Sequence, residues 1–177
     1  MNHKLFQFII IFFILLGCSN DDDSSSISSD VNSITLVTGI NIRMSDVSES
    51  IKLGNPNVFT GSQFLAFPNP PSDNITIQSF NTISDIWLIA AHAEKKYQET
   101  DFDEFLDSDL YTEENVDSKA ELKFNEVNSS NLTINIEDLN PGYYRVFVKI
   151  NGSLYWDNLY IPDDSFEIDD LIESWQE

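Results

Sequence analysis

Tyr143-Tyr144-Arg145-Val146-Phe147-Val148-Lys149-Ile150-Asn151-Gly152-Ser153-Leu154-Tyr155-Trp156-Asp157-Asn158-Leu159-Tyr160-Ile161 reads as two strands joined by a two-residue turn. Asn-Gly is the preferred pair for a type I′ hairpin, because both central residues need positive φ and both tolerate it. The turn sets the register. If Ile150 faces Ser153, then Val148 faces Tyr155 and Tyr144 faces Leu159 on one side of the ribbon. Phe147 then faces Trp156, and Lys149 faces Leu154, on the other. Both sides are partly apolar, so one packs in a core. The second, carrying Tyr143, Arg145, Phe147, Trp156 and Tyr160, is either covered or a partner surface, with Tyr143, Phe147, Trp156 and Tyr160 as its contact residues. A cover is available. Phe166 to Trp175 places Ile168, Leu171, Ile172 and Trp175 at helical spacing, with Asp164 and Glu167 positioned as a capping pair. This stretch predicts a short C-terminal helix lying over Phe147 and Trp156.

Outward from the hairpin, short runs rich in β-branched and aromatic residues recur at 34–37, 40–44, 63–67, 75–78, 83–91, 120–124 and 132–136. Pro68-Asn69-Pro70-Pro71-Ser72-Asp73-Asn74 and Asn140-Pro141-Gly142 interrupt them as turns. The pattern predicts an all-β fold, an antiparallel β-sandwich of Ig-like or Greek-key type. The aromatic fraction of 12% and hydrophobic fraction of 41% exceed those of a disordered acidic chain. The formal charge is −21, so a nucleic-acid partner is disfavoured.

The amino terminus tells where the protein resides. His3 and Lys4 open it, Leu5 to Leu16 are apolar apart from Gln7, and Leu15-Leu16-Gly17-Cys18 is followed by Ser19-Asn20-Asp21-Asp22-Asp23. Leu5 to Gly17 would extend about 20 Å as a helix at ~1.5 Å per residue, against a hydrocarbon core of roughly 30 Å. Spanning is disfavoured, and the large residues at 14–16 do not suit general signal cleavage. The segment resembles a bacterial lipoprotein signal, which implies that Cys18 becomes the first mature residue and the lipid attachment site, joined to the membrane through two or three acyl chains. The acidic run after it resembles the surface-export signal of Bacteroidetes lipoproteins. That implies an outer-membrane protein displayed at the cell surface, with the periplasmic face as the alternative. Cys18 is the only cysteine, so once lipidated it leaves none for disulfides or thiol chemistry.

The expected organisation is a signal peptide over 1–17, a flexible acidic, Ser-rich tether over 18–32, a β-sandwich over 33–162 and an acidic C-terminal helix or tail over 163–177. Within the sandwich, Phe67-Pro68-Asn69-Pro70, Asn74-Ile75-Thr76-Ile77, Ile86-Trp87-Leu88-Ile89 and Ile136-Glu137-Asp138-Leu139-Asn140-Pro141-Gly142-Tyr143-Tyr144-Arg145-Val146 follow one another in order. That order resembles the C-terminal sorting domains of the type IX secretion system, small β-sandwiches of Bacteroidetes. The resemblance covers Gln63 to Ile161 and departs where sorting domains carry a basic last strand. Here Asp157 and Asn158 stand in that strand and an acidic segment follows.

Chemistry-bearing patterns are sparse. The acidic segment 101–117 offers oxygen ligands for calcium without the glycine or spacing of an EF-hand, and reads as a solvated loop. His92 has no cysteine or G-x-S-x-G motif nearby and reads as a strand-end residue. The residues therefore favour a non-enzymatic, lipid-anchored module with no cofactor and no metal, binding a protein or a glycan or serving structurally. A module of type IX export is the alternative.

Overall fold

The computed structural model describes residues 33–95 and 111–176. The turn signals and β-rich runs become nine strands: β1 (Leu36–Val37), β2 (Gly39–Ile42), β3 (Ile51–Gly54), β4 (Phe64–Phe67), β5 (Asn74–Ala93), β6 (Leu122–Phe124), β7 (Ser129–Asn135), β8 (Gly142–Ile150) and β9 (Ser153–Ile161). Among the described residues two helices join them, α1 (Glu113–Lys119) and α2 (Ile168–Gln176). The sheets are open, and the fold is all-β and sandwich-like.

The β8–β9 hairpin forms in the register that Asn151-Gly152 dictates, with Ile150 opposite Ser153, Phe147 opposite Trp156 and Tyr144 opposite Leu159. Asn151 and Gly152 have φ of 53° and 83°, the positive pair a type I′ turn requires.

Strand β5 organises the rest. The runs 75–78 and 83–91, separate in the sequence reading, are one 20-residue strand whose ladder shifts between Gln78 and Ile83. Its first half lies between β4 and β7, and its second half between β6 and β8. Side chains alternate along both halves, so Ile75 and Ile77 from the first meet Ile86 and Leu88 from the second in one core. Val146, Val148 and Leu159 of the hairpin complete that core. The strand therefore serves both layers of the sandwich, and the exposed residues 80–82 lie at its bend.

The second half of the sheet is buried on its other face as well. Trp87, Ile89, Phe147 and Trp156 pack with Ile34, Tyr111 and Val116 at one end. Val37, Ile40 and Leu53 pack with Leu171 and Trp175 at the other, where Tyr143 and Tyr160 join them. A third layer, built from the 34–59 region and both helices, covers what a two-layer sandwich would expose. Not every strand is antiparallel: β1 runs parallel to the end of β5, pairing Leu36 with His92.

Helix α1 overlaps the acidic segment read as a loop. Thr112 caps it, its Oγ1 accepting from the Asn115 backbone N–H at 3.3 Å, and Glu113 and Glu114 sit in the first turn where the helix dipole favours them. Only Val116 is buried, so hydrophobic periodicity was too thin to announce the helix. Residues 96–110, which include 101–110 of that acidic segment, lie outside the described residues, as do Cys18, the signal and the tether.

Candidate functional site

The hairpin face with Tyr143, Arg145, Phe147, Trp156 and Tyr160 is interior. Phe147 and Trp156 are fully buried and Tyr143 and Tyr160 half-buried, so of the two readings of this face, covered or a partner surface, the described residues cover it. The cover also differs from the one expected. Helix α2 lies over Tyr143 and Tyr160: the Trp175 ring meets Tyr143 edge-on at 5.9 Å, its Nε1 donates to Tyr143 Oη at 3.0 Å, and Phe166 packs on Tyr160 at 5.6 Å. Phe147 and Trp156 are covered instead by Tyr111, which stacks on Trp156 at 4.5 Å, and by Phe59, 5.0 Å from the same ring. The reason is reach. Helix α2 follows β9 where Ile161 pairs with Gly142, and nine helical residues span only about 14 Å. The Asp164–Glu167 pair is not what shapes the entry to α2. Asp163 Oδ1 accepts from Ser165 N–H and Oγ–H at 2.8 and 2.7 Å, and these bonds hold its carboxyl below the usual range.

Between the two covers lies a polar cluster centred on Arg145, whose side chain has no solvent exposure. Its Nη1 donates to Tyr111 Oη at 2.8 Å, its Nη2 to the Asn57 carbonyl at 3.1 Å and its Nε to Asn158 Oδ1 at 3.3 Å. The guanidinium carbon lies 5.7 Å from the Trp156 ring centre and 5.9 Å from that of Tyr111, within cation–π range. These acceptors are neutral, so burial pulls the guanidinium pKa down while the Tyr111 oxygen supports the charge. Asn158 Nδ2 donates to Gly39 O and Asn57 Oδ1 at 2.7 and 2.8 Å, and Asn57 Nδ2 donates to Leu36 O at 2.8 Å. The cluster fastens β8 and β9 to the 36–57 region. The sequence reading placed Arg145 on this face but missed Asn57 and Asn158. Asp157 and Asn158, two polar residues in the middle of a strand with apolar flanks, were the available signal.

A second buried group lies nearby. Asp157 is almost fully buried, accepts from the Asn158 N–H at 2.8 Å and has the Arg43 Nη1 at 3.9 Å. Desolvation dominates and pushes its carboxyl up to about 6. Asn69, from the Pro68-Asn69-Pro70 turn, is also buried, and its Nδ2 donates to Asn41 O and Asn158 O, both at 2.9 Å.

These polar groups serve the architecture. Among the described residues, no group of three or more His, Cys, Asp or Glu side chains is placed to hold a metal ion. His92 sits near the end of β5, its Nε2 3.6 Å from Glu94. An open cleft of about 270 Å³ lies beside the hairpin turn, lined by Tyr111, Glu113, Gly152, Ser153, Leu154 and Trp156. No helix of the described residues is long and apolar enough to cross a membrane.

Comparison of the chain with protein-family models and with curated proteins returns no match. What the fold and the cluster define is a class: an all-β, sandwich-like domain whose buried charges tie its own layers together.

Proposed function

We propose that this chain is a lipid-anchored cell-envelope protein of Bacteroidetes type, held at the outer membrane through Cys18, displayed on the outer face, and acting by binding or as a structural module rather than by catalysis. The observation that carries this reading is Cys18 itself, at the end of an apolar run too short to span and at the head of a Ser- and Asp-rich stretch. Two or more acyl chains at about 0.8 kcal/mol per buried methylene hold a protein stably without a spanning helix. The acidic chain fits attachment through lipid better than attachment through charge, because a net −21 opposes anionic headgroups.

The domain is, in this reading, a sandwich of Ig-like, Greek-key type. Tyr144 supports it. Its hydroxyl donates to the Asn140 carbonyl four residues upstream at 2.9 Å, the contact of a tyrosine corner, as Asn140-Pro141-Gly142 turns the chain into β8. Burial and the neighbouring Glu121 carboxylate push that phenol up to about 12, so it stays protonated and donating.

A role in type IX export is the second reading. It draws support from Asn69 of the Pro-Asn-Pro motif, which ties β2 to β9 as a core element of the sorting-like pattern. The acidic residues in and after β9 weigh against it.

The test is Cys18→Ser in the full chain. The substituted protein is expected to leave the membrane fraction, and its retention after a salt wash would refute the anchor. Protease treatment of intact cells separates outer-face display from a periplasmic location.

A further inference from the structure

Strands β4, β5 and β7 present an outer face, opposite the core. Along β5 the core takes Ile75 and Ile77, so Asn74, Thr76 and Gln78 point outward. The register then builds rows across the sheet. Thr76 lies between Phe67 of β4 and Thr133 of β7, Gln78 lies between Leu65 and Asn131, and Asn74 faces Asn135. Thr76 and Thr133 share a hydrogen bond at 3.2 Å. Beyond Gln78, on the same side by alternation, stands Phe80, 95% exposed. Its strand bend is held by Ser79 Oγ, which donates to Gln63 O at 2.7 Å and accepts from Asn81 N–H at 3.0 Å. Phe80 borders a hollow of about 50 Å³ whose lining includes Ser62, Gln63, Leu65 and Gln78.

The composition of this face sets it apart. The chain carries 39 charged side chains from 9 basic and 30 acidic residues, yet not one lies in these rows. In sequence, charge returns past the strand ends, at Asp73, Glu126 and Glu137. Amide and hydroxyl groups dominate instead, each able to donate and to accept. A protein interface of ordinary kind has an apolar core with arginine and aromatic anchors, whereas this face sets the half-buried Leu65 and Phe67 and the exposed Phe80 among amide and hydroxyl side chains, with no arginine. Amides, hydroxyls and an exposed ring match a ligand with many neutral hydroxyls and apolar C–H faces.

We propose that the outer face of β4, the first half of β5 and β7 binds a neutral polysaccharide, with Phe80 stacking on a sugar ring and Gln78, Asn131 and Thr133 meeting its hydroxyls. Anionic glycans are disfavoured by the charge of the chain, and cationic ones find no carboxylate on the face. The proposal rests on the reading of the domain as a binding module and names its ligand class.

The test is affinity electrophoresis of the full chain in detergent against soluble starch, mixed-linkage β-glucan and galactomannan, with polygalacturonate as the anionic control. Retardation by at least one neutral glycan, insensitive to added salt and weakened about tenfold by Phe80→Ala or Asn131→Ala at unchanged melting temperature, is the expected result. Both side chains are exposed, so the variants should fold as the parent does. Absence of retardation by all three neutral glycans would overturn the proposal. So would retardation mainly by polygalacturonate, or neutral-glycan binding unchanged in both variants. Concentration-dependent self-association that Phe80→Ala abolishes, without glycan binding, would instead make the face a contact between copies. Membrane attachment through Cys18 does not involve this face, so failure here and failure of the anchor are read separately.

Discussion

Arg145 of β8 and Asp157 of β9 are both buried, and burial disfavours the charged form of each, but their partners differ. Arg145 keeps its charge by spreading it over three neutral acceptors and two aromatic faces, which offsets part of its desolvation. Arg145→Met would conserve bulk but leave Asn158 Oδ1 without that donor inside the protein. The expected cost is about 2–4 kcal/mol in urea unfolding, the range of an unsatisfied buried acceptor plus lost packing. Asp157 has a weaker arrangement, with one N–H and a cation at 3.9 Å, so its folded pKa of about 6 exceeds the unfolded value near 3.8. The folded protein then binds a proton more readily than the unfolded chain between pH 4 and 6. Stability should therefore rise as pH falls through that window, by on the order of 2 kcal/mol from this group. In Asp157→Asn the pH dependence between 4 and 7 should flatten relative to the parent, and unfolding curves at several pH values would measure the difference. An identical slope in both proteins would show that Asp157 does not titrate differently on folding.

Helix α2 is short and acidic, and holds its place through packing rather than propensity. Isolated helices of this length are marginal in water, so Leu171 and Trp175 must supply its stability by burial. Trp175 is seated over Gly54, where a Cβ would come within 2.5 Å of the indole and where φ is +64°. Any larger residue at 54 would both strain the backbone and lift the helix. Deleting the chain after Ile161 should expose Val37, Ile40 and Leu53 together with the Tyr143 and Tyr160 rings. The expected result is a loss on the order of 3 kcal/mol, at about 25 cal/mol per Å² uncovered, with increased binding of a hydrophobic dye. A truncated domain that melts with the intact one would show that α2 is not a cover. Trp175 is 8% exposed, so acrylamide should quench it poorly in the intact protein.

At the scale of the molecule, charge and apolar surface are kept apart. The cores run through both faces of the second sheet half, carboxylates are concentrated in the helices and loops, and the outer face of β4, β5 and β7 is uncharged. Among the described residues the carboxylates do not gather into a metal cluster. The acidic segment 101–117 lacks the glycine and spacing of an EF-hand loop, so millimolar calcium is expected to move the melting temperature no more than magnesium does. A rise of several degrees specific to calcium would place a site in the acidic segment and overturn this expectation.

Local sequence determined the elements whose cause is local. Asn151-Gly152 imposes positive φ at two successive residues, and that alone sets the β8–β9 register and both faces of the hairpin. The Leu171 and Trp175 spacing likewise marked α2, because a helical stripe is written at fixed intervals. Strand β3 carries one buried residue, Leu53, and α1 carries one, Val116, so neither had a period to read. Which surfaces meet was decided by the tertiary structure. The same apolar hairpin face would suit a partner or a cover, and only the return of the 34–59 region and of Tyr111 made it interior. The Arg145 cluster draws on residues as far apart as Gly39 and Asn158, 119 positions along the chain, and the uncharged face draws its rows from β4, β5 and β7. Neither leaves a local pattern, because hydrogen bonds and sheet rows depend on proximity in space, which the chain acquires only when β5 bends and its two halves close on one core.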